Sequence, residues 1–123
     1  MLIRQFRHAA GGFIYEIPAG KLHPGEDPLR CAARELEEEG GYRASSFELL
    51  SSIFTVPGFA DEVIHVYKAT GPTKGRQQLD RDEVLDVIEM PLSDAMDKLE
   101  DGTIHDAKTI VGLQAVYLRT NRG

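Results

Sequence analysis

The chain has 123 residues, 41% of them hydrophobic, which suits one compact domain with its own core and leaves too little for two. Its net charge of −6, with no cluster of lysine or arginine, lacks the electrostatic footprint of a general nucleic-acid binder. A single cysteine, Cys31, excludes an internal disulfide and a multi-cysteine zinc site, so any metal must be held by oxygen.

No apolar run approaches the ~20 residues of a membrane span, and Met1-Leu2-Ile3-Arg4-Gln5 is too polar and short for a signal sequence. The expected location is the cytoplasm, away from membranes. Two short apolar runs, at Leu2-Ile3 and from Phe13 to Ile17, predict strands, with Gly11-Gly12 in their connection. Pro18-Ala19-Gly20 ends the second strand, and Pro24-Gly25 marks a turn inside a polar loop.

Asp27-Pro28 predicts a helix start, because Asp27 can accept the free amides as N-cap and Pro28 loses nothing at the first helical position. The helix runs to about Glu39, and Gly40-Gly41 stops it. At about 100° per residue, Leu29, Ala32, Ala33 and Leu36 gather on one side to pack on a sheet. Glu35, Glu38 and Glu39 gather on a neighbouring side.

Ser46 to Val56 reads as a strand or a strand with a bend, Pro57 to Ala60 as a loop, and Asp61 to Ala69 as an alternating antiparallel strand. Gly71 to Arg76 has glycine, proline and almost no apolar anchor, which predicts the most mobile segment. Asp80-Arg81-Asp82-Glu83 precedes a final strand, Val84 to Ile88. Ser93 is positioned to cap a short helix through Leu99, and Asp106 a longer one through about Leu118. Strands and helices mixed in this order predict an α/β domain.

The acidic helix is the feature that stability alone does not explain. Glu35, Glu38 and Glu39 converge at i, i+3 and i+4, where each like-charged pair costs roughly 0.2–0.5 kcal/mol. They also lie in the last turn, where the helix dipole disfavours carboxylates by about 0.3–1 kcal/mol each. A solvated charged face is the commoner reading of such a run, relieved here by Arg34 reaching Glu38 and Glu37. That reading leaves Glu35 and Glu39 without partners. Convergent carboxylates suit hard divalent cations, and Mg²⁺ in particular takes a few carboxylates plus water and substrate phosphates.

Gly20, five residues, Glu26, seven residues, then Arg34-Glu35-Leu36, one residue, Glu38-Glu39, one residue and Gly41 resembles the box of the Nudix hydrolases. Eight of nine specified positions match, and Tyr42 stands where the family has an aliphatic residue. Chance would produce such a match on the order of once in a million chains of this length. The runs Leu2 to Ala9, Tyr15 to Gly20 and Pro57 to Glu62 resemble the ADP-ribose and nucleoside-diphosphate-sugar pyrophosphatase branch, whose marker proline corresponds to Pro57.

The resemblance implies a Nudix α/β/α sandwich with a mixed sheet, lacking the first strand and N-terminal subdomain that relatives carry. It implies hydrolysis of a nucleoside diphosphate sugar at its pyrophosphate, ADP-ribose giving AMP and ribose 5-phosphate. The alternatives within the fold are a nucleoside triphosphate pyrophosphatase and a non-catalytic nucleotide-binding domain. The implied cofactor is Mg²⁺, with Mn²⁺ as the substitute. Its implied ligands are Glu35, Glu38 and Glu39, the Ala19 carbonyl, and Glu83 as an extra one.

Arg34 is implied to restrain the glutamates, and Glu26 to support the loop or a metal-bound water. Arg7 resembles a family arginine that binds substrate, and Arg4 fits that role or a solvent-facing one. Glu62 corresponds to a loop acid near the substrate, and Phe59 to a pocket wall or a packing residue. The general base is implied to sit in the loop before the last strand: Glu83 first, then Asp82 and Asp80. Arg81 stands there in place of a common acid. The implied partners are the nucleotide sugar and a second copy of the chain in a homodimer, since an unpaired sheet edge favours pairing with another chain.

Overall fold

Strand β1 (Leu2–Arg7) lies between two antiparallel neighbours, β2 (Gly12–Glu16) and β5 (Leu85–Ile88), in a three-stranded sheet. The register sets Gln5 opposite both Ile14 and Leu85. A second sheet is the long hairpin of β3 (Tyr42–Phe54) and β4 (Val63–Lys74). Helices α1 (Pro28–Gly40), α2 (Leu92–Glu100) and α3 (Ala107–Asn121) flank the strands, with a single 3₁₀ turn at His8–Ala10. The computed structural model describes residues 1–81 and 83–121. It is the mixed α/β fold expected of the Nudix sandwich.

The core forms where β1 meets α2 and α3. Leu2, Ala95 and Ile104 are buried there, with Tyr15, Ile17, Met90, Leu99, Ile110 and Leu113 packed around them. Full burial of a side chain such as Leu2 or Ile104 contributes roughly 1.5–3 kcal/mol. Helix α3 comes close to the strands because Gly112 has no side chain. A Cβ there would stand 3.3 Å from Val66 Cγ1.

Helix α1 starts and ends as its sequence dictates. The Asp27 carboxylate accepts the Arg30 amide at 2.9 Å, Pro28 occupies the first turn, and Gly41 closes the helix at φ 74° with its N–H on the Glu37 carbonyl. Asp106 likewise caps α3, its Oδ2 accepting the Thr109 amide at 3.3 Å.

Several expected boundaries shift. Strand β3 begins at Tyr42 rather than Ser46, with a register irregularity between Leu49 and Ser51 where a bend was expected. Strand β4 continues through Lys74, so most of the segment expected to be mobile is paired, Pro72 opposite Ala44 and Lys74 opposite Tyr42. Proline is tolerated because a hairpin edge needs no second ladder partner. Ser93 is not the α2 cap: Pro91 is, its carbonyl accepting from Asp94 and Ala95, and Ser93 lies inside the first turn. Helix α3 runs on to Asn121. Gly12 belongs to β2 rather than to the connection before it.

The inward face of α1 also differs from the wheel reading. Leu29 is 44% exposed, whereas Cys31, Glu39 and Gly40 are buried. The face turned to the interior carries Cys31, Ala32, Glu35, Leu36 and Glu39. Polar residues hold part of it because it borders a cleft rather than a closed core.

Candidate active site

An open cleft of about 1540 Å³ runs between the two sheets, and the inner face of α1 forms one wall. Two of the three converging glutamates reach it. Glu35 and Glu39 line the cleft, one helical turn apart, while Glu38, outside the lining, shares Arg34 Nη1 with Glu35, at 3.1 Å against 2.6 Å.

Glu39 is the most buried carboxylate of α1, 4% exposed. Its Oε1 accepts the Ala19 amide at 2.8 Å. Among the described residues no lysine, arginine or histidine forms an ion pair with it. Burial, aided by the charges of Glu35, Glu83 and Glu16, pushes its carboxyl up to about 7, against the pull of the Ala19 bond. Glu35 is raised as well, first by burial and then by Glu38 and Glu83, with Arg34 opposing. Two carboxylates of one cleft, both raised by burial and by neighbouring acids, favour a cation beside them.

Gly20 makes room for Glu35. A Cβ at that position would lie 2.1 Å from Glu35 Oε1, so any larger residue displaces the carboxylate. The glycine spacing of the sequence therefore has a steric cause.

Arg34 gathers the rest of the acidic stretch. Its Nε and Nη2 fork grips Glu26 at 2.8 and 3.0 Å, Nη1 reaches Glu35 at 2.6 Å, and Nη2 also donates to the Lys21 carbonyl at 3.0 Å. The Arg34 bond, with the His23 amide, lowers the Glu26 carboxyl to about 2. Glu26 thus fastens the loop to the helix. Arg34 relieves Glu26, Glu35 and Glu38 but does not touch Glu39.

The segment after β4 is strapped to the end of α1. The Gly75 amide donates to the Gly41 carbonyl at 2.9 Å, Gln77 Nε2 to the Glu39 carbonyl at 2.9 Å, and the Gln78 amide to the Glu38 carbonyl at 2.8 Å. Helix C-terminal carbonyls need such partners. The strap delivers Asp80 and Glu83 to the cleft, where Glu83 Oε1 accepts the Asp80 amide at 2.8 Å. Arg81 is exposed. Asp82 lies outside the described residues.

The candidate substrate residues are not all brought together. Arg7 lines the cleft and grips Glu16 with a bidentate fork at 2.8 and 3.1 Å. Arg4 is on the opposite face of β1, over the Phe13 ring at 4.3 Å and 3.6 Å from Asp86. Glu62 borders the cleft and accepts the Thr55 hydroxyl at 2.6 Å. Phe59 is 96% exposed and is not among the cleft's lining residues.

A buried polar chain escaped sequence reasoning. Glu16, 2% exposed, takes Arg7 on one side and Lys108 Nζ at 2.7 Å on the other, and Lys108 also reaches Asp106 at 3.0 Å. Thr109 donates its hydroxyl to Asp106 and accepts the Ile17 amide at 2.9 Å. The one visible signal was an acid in an otherwise apolar strand, Tyr15-Glu16-Ile17. Its partners on α3 are too distant in sequence to be inferred.

The donor set fits a hard divalent cation: Glu35, Glu39, the neighbouring Ala19 backbone and Glu83. Among the described residues no three acidic, histidine or cysteine side chains close into a ready-made cage. An open set of carboxylates is what Mg²⁺ takes, since it keeps water and phosphate oxygens in its remaining positions.

Comparison with known proteins agrees with this geometry. The NUDIX domain profile matches residues 1–111. The chain is 45% identical over 121 residues to a methanol dehydrogenase activator of Bacillus methanolicus and 41% identical over 121 residues to an ADP-ribose pyrophosphatase of Bacillus subtilis. Each alignment covers 97% of this chain and 65% of the relative, so the chain spans about two thirds of their length. It is also 38% identical to a GDP-mannose pyrophosphatase of Cronobacter sakazakii, covering 97% of this chain and 66% of that one. A crystal structure of an ADP compounds hydrolase superposes with a TM-score of 0.89 at 26% identity, covering 99% of this chain and 66% of that one. With the box residues assembled around one cleft and the profile matching residues 1–111 of the 123, the chain belongs to the Nudix family.

Proposed function

We propose that this protein is a divalent-metal-dependent pyrophosphatase acting on nucleoside diphosphate sugars, with ADP-ribose as the foremost substrate and AMP and ribose 5-phosphate as products. The observation that carries the reading is the pair Glu35 and Glu39 lining the cleft, with Glu39 buried and unmatched by any cation of the described residues. The names of the relatives support the substrate class: an ADP-ribose pyrophosphatase, GDP-mannose pyrophosphatases and, at 32% identity, an ADP-sugar pyrophosphatase of Mus musculus.

Members of the family are generally Mg²⁺-dependent, and Glu35, Glu39, Glu38, Glu83 and the Ala19 carbonyl are the groups that would hold the ion. When bound, Mg²⁺ supplies neutralisation of phosphate charge and a water acidic enough to attack near neutral pH. The protein's own contribution is positioning. Arg7 presents guanidinium donors to diphosphate oxygens, which a planar fork matches. Glu83, which accepts the Asp80 amide and lines the same cleft as Glu35 and Glu39, is the group proposed to take the proton from the attacking water. Glu62 is proposed to orient the substrate from the far rim, and Phe59 to close over the bound sugar or base.

The assembly proposed is a homodimer. The three-stranded sheet has β2 and β5 at its edges, and unpaired strand edges favour pairing with another chain. The elution volume from a calibrated sizing column checks it. No described helix is long and apolar enough to cross a membrane.

The activity is tested with purified protein and Mg²⁺ against ADP-ribose, ADP-glucose, GDP-mannose, dinucleoside polyphosphates and dNTPs, with products resolved by chromatography. Cleavage of the nucleotide sugars at the pyrophosphate is the expected result. Preference for dNTPs would replace the substrate class, and no turnover of any compound would sink the enzymatic reading.

A further inference from the structure

We propose that Lys108 is a positioning residue for substrate binding, acting through Glu16 on Arg7; this rests on the reading of Arg7 as a diphosphate ligand. The observation is the continuous chain Arg7, Glu16, Lys108, Asp106, which joins β1, β2 and the start of α3.

Glu16 is almost fully buried and carries charge, so it needs matched donors on both carboxylate oxygens. Arg7 Nε takes Oε2 at 2.8 Å, and Arg7 Nη2 at 3.1 Å shares Oε1 with Lys108 Nζ at 2.7 Å. Arg7 Nη1 makes no bond among the described residues, and the outer part of the side chain, 48% exposed, borders the cleft. The fork thereby fixes a side chain that otherwise samples many rotamers, with its remaining donors turned outward. An arginine ordered in advance loses less entropy when a diphosphate arrives.

Lys108 sets how strongly that fork is held. The four groups sum to zero charge, two acids and two bases. Removing the ammonium leaves Glu16 and Asp106 with Arg7 as their only cation in the chain, close to the carboxylate of Glu39. Arg7 is then drawn inward and its outer donors are spent on the protein's own acids. The diphosphate meets a more negative site whose arginine is turned away from it.

Calorimetry with α,β-methylene ADP-ribose gives affinity independently of turnover, and KM and kcat for ADP-ribose complete the test. Lys108→Met is expected to weaken the affinity about tenfold and raise KM in parallel, with kcat within about twofold of the parent. Lys108→Arg restores most of the loss. In an Arg7→Ala background Lys108→Met adds nothing further. A purely structural lysine would instead lower the active fraction and kcat without moving KM.

Should Lys108→Met fail to fold, Glu16→Gln keeps the side-chain volume and is expected to give the same loss, again absent when Arg7 is missing. Wild-type affinity in Lys108→Met, or an undiminished effect in the Arg7→Ala background, overturns the relay alone. Unchanged affinity in Arg7→Ala overturns the reading of Arg7 itself, and the relay with it. Failure of the wild type to bind the probe overturns both.

Discussion

The backbone N–H of Ala19 donates to Glu39 Oε1 at 2.8 Å, joining the end of the second strand to the last turn of the acidic helix. This bond fixes the orientation of the one glutamate of α1 that no basic side chain of the described residues pairs with. It also places the Ala19 backbone beside both cleft carboxylates, since Gly20 touches Glu35.

Replacing that glutamate should separate activity from folding. Glu39→Gln keeps an oxygen for the Ala19 amide and removes a buried charge. Turnover is expected to fall on the order of 10³-fold, the loss of several kcal/mol of transition-state stabilisation. The circular-dichroism spectrum should not change. Full activity at limiting Mg²⁺ would refute Glu39 as a ligand.

The same glutamate predicts a pH dependence. Its carboxyl sits at about 7 in the folded chain against an ordinary 4.5, so the folded state binds the proton more tightly than the unfolded one. The stabilising contribution is full below about pH 4.5 and is lost as pH rises through about 7, a swing on the order of 3 kcal/mol. Urea midpoints in EDTA should therefore drop between about pH 5 and pH 8. In Glu39→Gln this drop should shrink, and an unchanged slope would contradict the assignment.

Gly20→Ala tests the close approach at the box's first residue. The added Cβ would meet the Glu35 carboxylate at 2.1 Å, and a glutamate end can swing away at little cost to the fold. The Mg²⁺ concentration for half-maximal activity should rise about 10- to 100-fold, as for other displaced ligand geometry. Thermal unfolding should shift by only a few degrees. A large collapse in melting temperature would mean the contact is structural.

Glu83→Gln and Asp80→Asn separate the two described candidates for the base. Removal of a general base lowers kcat about 10²- to 10⁴-fold. The larger drop is expected for Glu83, whose charge is felt at both Glu35 and Glu39. The ratio of kcat values, measured at saturating substrate, decides the order.

Local signals carried the fold a long way. Asp27, Pro28 and Gly41 act within one or two turns of where they stand, so α1 was legible to its caps. The box spacing was legible too, because Gly20, Glu26 and Arg34 meet through a short loop. Pairing was not. Nothing near Pro72 or Thr73 announces that β3 will carry them as partners, and β4 outran its expected end. The wheel gathered Glu35, Glu38 and Glu39 as one patch and gave Arg34 to Glu38 and Glu37, but it could not tell that Arg34 would also bond Glu35 at 2.6 Å and leave Glu37 to Arg43. Glu16 with Lys108 joins residues 92 positions apart, beyond the reach of any local pattern.

The most direct test of the account is hydrolysis of ADP-ribose in ¹⁸O-labelled water, run with Mg²⁺ and with EDTA, for the wild type and Glu39→Gln. The account predicts AMP and ribose 5-phosphate in equal amounts, one labelled oxygen on one of the two new phosphates, no products with EDTA, and turnover lower on the order of 10³-fold with Glu39→Gln. Intact ADP-ribose in the presence of Mg²⁺ and every nucleotide sugar of the panel, or equal turnover in EDTA, would contradict it.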